Sequence, residues 1–306
     1  EFEIEGASTT IRERLSRGEG VADMLHPRAL AYIERYGLYR APIPGTWARG
    51  SLEGATYVLQ ADAKNPKARE LAEPLAQGHT EAREADFITV IGGDGAMLRG
   101  IREHWRTRLP FFGINAGHLG FLLNGQDQVA AHAFPPRDVI FRQMPMLFLE
   151  FEDREGRTHT AHGFNDAWLE RSTSQSAWLE VIVNDVRRIP KLVSDGALVA
   201  TAAGSTAYAR SMGASPLLAD TPAWLLVGSN VLEPAHWRSA LLSPDTTVEI
   251  RSLDPLHRPV EAFVDGQSIG EVVSMRARLS RAAAAELVFC ASHDMAEKIA
   301  AIQFGA

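Results

Sequence analysis

Apolar and polar positions follow two different rhythms along this chain. Between Ala55 and Asn115, short apolar runs are separated by segments of helical character. Phe87–Ile91 is a continuous apolar run rich in β-branched residues, suited to a strand buried on both faces. Ahead of it, Ala55–Leu59 reads as a strand and Pro66–Gln77 as a helix, opened by Pro66 and closed by Gly78. A helix over Ala96–Trp105 follows, then a second buried run at Phe111–Asn115. Strand–helix–strand at this spacing predicts a parallel βαβ unit.

Beyond Gln126 the texture changes. Arg142–Phe151, Ala177–Val183, Thr247–Arg251, Val260–Val264 and Glu271–Leu279 read as short strands between turns, with little helical periodicity. The expected fold is therefore an α/β N-terminal domain over 51–128 with a mainly β second domain over 129–290. His293–Gln303 reads as a closing helix, and the segment 293–306 is expected to pack back on the first domain. Residues 1–50 form an extension of unclear structure, with short helices at Ile11–Leu15 and Ala29–Tyr36 and a linker at Pro42–Gly45.

Composition narrows the function classes. The 306 residues are 45% hydrophobic and 23% charged, ordinary globular values. A net charge of −7 argues against a general nucleic-acid binder. Arg99, Arg102, Arg106 and Arg108 read first as a solvated helix face and second as a local positive pocket. Cys290 is the single cysteine and sits in an apolar run, which predicts a buried inert thiol, no internal disulfide, and a reducing, cytoplasmic setting. No apolar stretch approaches the ~20 residues of a membrane span. The first residue is Glu1 rather than methionine, which leaves room for a trimmed or targeting segment ahead of it.

The chemistry concentrates at Gly92-Gly93-Asp94-Gly95, directly after the buried run. In open parallel sheets, ligands bind at the carboxyl ends of strands, where helix N-termini also point. Glycines permit tight backbone and let a ligand approach the main chain. A phosphate cradle alone would favour the lysine of GxxxxGK[ST], which is absent. Asp94 instead suits a hydroxyl activated close to a phosphoryl donor. The competing reading is plain turn chemistry.

Three further segments favour the functional reading. Phe112–Phe121 is a second glycine-rich turn at a strand end. Gly163-Phe164-Asn165-Asp166-Ala167 sets an amide beside a carboxylate. Ser194–Tyr208 reads as a turn, a short strand, and a helix start capped by Ser205 or Thr206, with small residues that would let a flat ring or a sugar lie on the backbone. In this order, GGDG, GIN-x-GHLGFL, the Asn-Asp pair and DG…GSTAY resemble the NAD kinase family. The likeness covers Phe87 to Met212, with a weaker echo in Val264-Asp265-Gly266-Gln267.

The resemblance implies a two-domain fold with a Rossmann-like parallel sheet, and phosphoryl transfer to the 2′-hydroxyl of the adenosine ribose of NAD. It makes Asp94 the general base or the group that orients the hydroxyl, with Gly95 against the dinucleotide and Arg99 within reach of a phosphate. Asn165 and Asp166 would read adenine and ribose, and Asp195 the other ribose or nicotinamide end. Thr206, Ala207, Tyr208 and Ser211 would line the dinucleotide, and Gln267 falls in the weaker echo. For Phe121, ring stacking and core packing weigh equally, as do donor phosphate and turn structure for His118. The resemblance also implies Mg2+ with ATP or polyphosphate, and a homodimer or homotetramer. Ala96, Ala202-Ala203 and Val193 depart from the family by losing polar groups. Two alternatives therefore stand: an NAD(P)-binding regulator without turnover, and a lipid or sugar kinase sharing only the GGDG turn.

Overall fold

The computed structural model describes residues 11, 14, 20–22, 24–36, 47–117, 119–130, 133–219 and 221–304. Most of the Ile11–Leu15 segment and the whole of Pro42–Gly45 lie outside the described residues. Helix α1 (Pro27–Tyr36) is followed by β1 (Trp47–Gly50), β2 (Tyr57–Ala61), α2 (Pro66–Ala72), β3 (Phe87–Gly92), α3 (Asp94–His104) and β4 (Phe111–Asn115). A one-turn helix α4 (Gln126–Ala130) leads into β5 (Val139–Glu152), β6 (Thr158–Gly163), β7 (Asp166–Arg171), β8 (Ala177–Val183), β9 (Val186–Ser194) and β10 (Gly196–Ala200). Then come α5 (Tyr208–Ser211), β11 (Trp224–Ser229), β12 (Ser239–Leu242), β13 (Thr247–Ser252), β14 (Val260–Val264), β15 (Gln267–Val272), β16 (Ser274–Cys290) and α6 (Met295–Phe304).

The α/β half is built as the apolar rhythm predicted. Strands β2, β3 and β4 pair in parallel, and all six residues of β3 are buried. Asn65 caps α2 with its side chain, accepting from the Lys67 and Ala68 N–H groups. This helix stops at Ala72 and continues as a 3₁₀ turn to Gly78, shorter than the predicted Pro66–Gln77. Pro74 is the cause, since it has no N–H to continue the ladder. Helix α3 starts at Asp94, two residues before the predicted boundary.

The remaining chain is a β-sandwich. One sheet has β12-β11-β10-β7-β14-β15 in order; the other carries β16, β13, β8 and β9 beside β4, with β5, β6 and β1 branching from it. Side chains from both sheets, among them Leu149, Leu179, Met275, Leu169, Val199 and Trp224, fill one core. The expected strand Glu271–Leu279 is really the end of β15 and the start of β16, divided at Val273.

Strand β16 joins the two halves. It pairs antiparallel with β5 along its length and, at Leu287 and Val288, parallel with β4. Buried Asn124 secures this junction: its Nδ2 donates to Gly113 O (2.9 Å) and Val288 O (3.1 Å), and its Oδ1 accepts from Cys290 N (2.7 Å). Cys290 itself is buried, and burial pushes its thiol up to about 11, so it is inert. Among the described residues no helix is long and apolar enough to cross a membrane.

Candidate active site

Gly92, Gly93 and Gly95 serve different ends. A Cβ on Gly92 would stand 2.6 Å from the Ala96 Cβ and 3.3 Å from that of Asp62, so this glycine lets α3 start hard against the sheet. Gly93 has open space around it, and Gly95 meets only the Arg99 guanidinium, at 4.0 Å. None of the three has the positive φ that would require glycine. The expectation of tight backbone conformations is corrected: these glycines supply room.

Asp94 is the first residue of α3, and its carboxylate faces the loop that follows β4. Oδ1 accepts from Leu122 N (2.9 Å) and Oδ2 from Phe121 N (3.1 Å). The loop is shaped by its own polar groups, since Asn115 Oδ1 accepts from Gly117 N and Asn124 N donates to Gly113 O, both at 2.9 Å. From α6, Lys298 Nζ closes it by donating to Gly120 O (2.5 Å) and Leu123 O (2.8 Å). Burial raises the pKa of Asp94, while the two N–H groups and the Lys298 charge oppose the rise. Each carboxylate oxygen keeps a free lone pair for a further donor.

The Asn165-Asp166 pair forms the turn between β6 and β7, and both residues are buried. Asn165 Oδ1 is fully enclosed and has no hydrogen-bond partner. A buried orphan acceptor of this kind is costly unless a ligand satisfies it. Burial, and then the facing charge of Asp265, push Asp166 up to about 7, against a hydrogen bond from the Tyr208 N–H. Thr201 binds the turn from β10, its N–H donating to Asn165 O (2.9 Å) and its hydroxyl to Phe164 O (2.7 Å).

One position of the small-residue segment differs from the expectation of room for a ring or sugar. At Gly204 the space belongs to the Asn165 carbonyl, which a Cβ would meet at 2.0 Å. The capping expectation is also corrected. Ser205 is fully buried, donates to Ala202 O and accepts from Leu217 N; Ala207 precedes α5 with no side-chain cap. Tyr208 stands edge-on to Trp168 with ring centroids 4.9 Å apart, and Thr206 is half-buried. Ala207 is half-buried as well, and Ser211 is exposed at the end of α5.

One apolar cluster underlies these motifs. Ala96 and Met97 of α3, Leu122 and Leu123 of the loop, Phe164 beside the Asn-Asp pair, Ala203 of the small-residue segment and Met295 of α6 pack together. Segments more than a hundred residues apart are thereby anchored on one core. Two of the expected residues, Asp195 and Gln267, stand apart from these segments. Asp195 lies at the other end of β10, about 15–20 Å along the strand, and there pairs with Arg171 (2.5 Å) and Asn230 (2.7 Å). Gln267 is exposed at the start of β15. Arg99 forms an ion pair with Asp62 (3.1 Å) beside a cavity of ≈ 410 Å³ that also includes Gln60 and Lys64. His118 lies outside the described residues. Sequence reading did not single out Lys298, Asp265, Thr201 or Asn124, although Thr201 and Asp265 lie within quoted motif segments.

Comparison with known proteins supplies the family. The family model for the ATP-NAD kinase N-terminal domain matches residues 53–134. The NAD kinase of Rickettsia akari (strain Hartford) is 33% identical over 227 residues, 74% of this chain and 89% of that protein. That of Rickettsia felis is 34% identical over the same shares. This chain belongs to the NAD kinase family. Sequence coverage of that extent goes well beyond a shared GGDG turn and sets aside the lipid or sugar kinase alternative. Two solved structures share the NAD kinase fold. Yeast NADH kinase complexed with NADH has a TM-score of 0.69 at 17% identity, covering 86% of this chain and 92% of that one. An NAD kinase from Archaeoglobus fulgidus in complex with ATP has a TM-score of 0.58 at 19% identity, covering 80% and 98%.

Proposed function

We propose that this NAD kinase transfers a phosphoryl group to the 2′-hydroxyl of the adenosine ribose of NAD, giving NADP, and that Asp94 receives or orients the hydroxyl proton. The observation that carries this reading is the Asp94 carboxylate, anchored by two N–H groups at the carboxyl edge of a parallel sheet, with open space at the flanking Gly93 and Gly95. The ribose oxygen forms a bond to the terminal phosphorus of the donor while the bond to the leaving phosphate breaks. The proton passes to the carboxylate. Positioning dominates such transfers, and a general base adds ~10²–10⁴-fold. The raised pKa of Asp94 makes it a stronger base than an ordinary aspartate.

Asn165 and Asp166 are the readers of the adenosine end in this proposal. The orphan Asn165 Oδ1 would accept from an exocyclic amine, and Asp166 from sugar hydroxyls. Thr206, Ala207 and Tyr208 adjoin them. Asp195, Gln267 and Ser211 are secondary contacts at most for a single chain. The donor, ATP or polyphosphate, would lie towards Arg99. Among the described residues no three acidic, histidine or cysteine side chains converge on one point. Magnesium in phosphoryl-transfer sites commonly takes one or two carboxylates plus the phosphates themselves, which fits an ion arriving on the donor. We assign the protein to the cytoplasm as a homodimer or homotetramer, in keeping with its lone buried thiol and its resemblance.

The test is direct. The purified protein with NAD, magnesium and ATP or polyphosphate should yield NADP, and Asp94→Asn should lower kcat at least 10²-fold. Absence of NADP with every donor would overturn the proposal, and tight dinucleotide binding without turnover would identify a regulator instead.

A further inference from the structure

The Asp265 carboxylate is turned from solvent towards three main-chain N–H groups. Asp265 and Gly266 form the two-residue turn between β14 and β15, with φ of 47° and 79°, as a tight hairpin of mirror-image type requires. The side chain turns inward and is 7% exposed. Oδ2 accepts from Phe164 N (2.7 Å), and Oδ1 from Asn165 N (2.8 Å) and Asp166 N (3.2 Å). The hairpin returns the bond, because Asp265 N donates to Asp166 O at 3.0 Å. Three consecutive N–H groups form a small concavity of the kind that elsewhere receives an anion. Here the anion is a side chain of the same protein, delivered from a hundred residues away.

We propose that Asp265 is a positioning residue for dinucleotide recognition: its carboxylate holds the Phe164–Asn165–Asp166 turn in the conformation that presents Asn165 and Asp166 to the ligand. This rests on the assignment of those two residues as readers of NAD. Without the carboxylate, three buried N–H groups lose their partner at once, and the turn has no reason to keep its shape. The same hairpin also meets α3, where an Arg102 guanidinium N–H approaches Asp265 O at 3.4 Å, so it lies between the helix that begins with Asp94 and the reader turn. The weaker echo in Val264–Gln267 thus has its working member in Asp265, whereas Gln267 points to solvent.

The role has a signature that a merely structural residue lacks. The groups facing Asp166 are Asp265 from the hairpin and the Tyr208 N–H from α5, with Arg102 reaching the hairpin from α3. Removing the charge at 265 therefore lowers the pH at which Asp166 ionises. For a reader that must accept from sugar hydroxyls, KM for NAD falls as pH rises through about 7, the value to which Asp166 is pushed. In Asp265→Asn that midpoint moves to lower pH.

Steady-state kinetics of the full chain test this. In Asp265→Asn, KM for NAD should rise at least tenfold while kcat stays within threefold and KM for ATP is unchanged, with the pH midpoint displaced downward. An unchanged KM for NAD in an active variant overturns the proposal, as does a loss confined to kcat. Wild-type protein that makes no NADP would defeat the assignment of function instead, so the two failures are distinct. Should the variant not fold, 15N-labelled wild type decides. Amides 164, 165 and 166 should be strongly protected from hydrogen exchange and should titrate together with the Asp265 carboxylate; fast exchange at these amides would overturn the proposal.

Discussion

Replacing Gly204 by alanine tests how the two halves of the proposed reader site fit together. Gly204 has no positive φ, so alanine is compatible with its backbone angles, and only space opposes it. The new Cβ would lie 2.0 Å from the Asn165 O, 2.5 Å from its C and 2.7 Å from its Cα. All three are backbone atoms, and no rotamer change relieves the contact. Comfortable carbon contacts are near ~3.5 Å, so the segments must part by roughly 1–1.5 Å. That movement strains the bonds holding the turn, Thr201 N to Asn165 O (2.9 Å) and Gly204 N to Thr201 Oγ (3.1 Å). Overpacking of this kind costs about 1–3 kcal/mol. A 1 Å displacement of a positioning group costs about 10²-fold in rate. Gly204→Ala should therefore lower kcat/KM for NAD by about 10²-fold and lower the melting temperature by several degrees. The assays are NADP formation at varied NAD and thermal unfolding followed by circular dichroism. A variant with kcat/KM within threefold of wild type and an unshifted melting temperature would refute the steric argument.

Other positions make sharper distinctions. Lys298→Met removes the cation that opposes the raised pKa of Asp94, so that pKa rises further; the ascending limb of kcat against pH, where Asp94 ionises, should move to higher pH, and an unmoved limb would exclude coupling from α6 to the base. The Asn124→Ala variant loses three buried side-chain hydrogen bonds at the β4–β16 junction, at a cost of roughly 3–5 kcal/mol. Its melting temperature should fall by roughly 5–10 °C with KM values unchanged in the folded fraction, whereas a shift under 2 °C would show that the junction does not depend on this residue.

Much of the architecture was legible in local pattern. Phe87–Gly92 is apolar throughout because both faces of its sheet are covered, and a run of that kind needs no partner information to be recognised. Ala177–Val183 was found with its observed limits, and β3, β4 and α3 to within two residues. The edge strands β1, β6, β9 and β12 were missed, and so were the inner strands β7 and β11. Short strands with mixed exposure carry little periodicity, and their pairing is decided by neighbours distant in sequence.

The site divides in the same way. Asp94, Asn165 and Asp166 were singled out as candidates by local chemistry, a glycine turn and an amide–carboxylate pair, and only the order of all the motifs along the chain pointed to the NAD kinase family. Whether a glycine gives its space to a ligand or to another strand is not a local property: Gly95 is open, while Gly204 is filled by the Asn165 carbonyl. Nor do spacing or composition reveal that Lys298 holds the loop facing Asp94, or that Asp265 holds the turn carrying Asn165. Residue types set which bonds are available. Packing across 87–298 decided which were made, since a buried N–H or carboxylate takes the nearest partner the fold delivers.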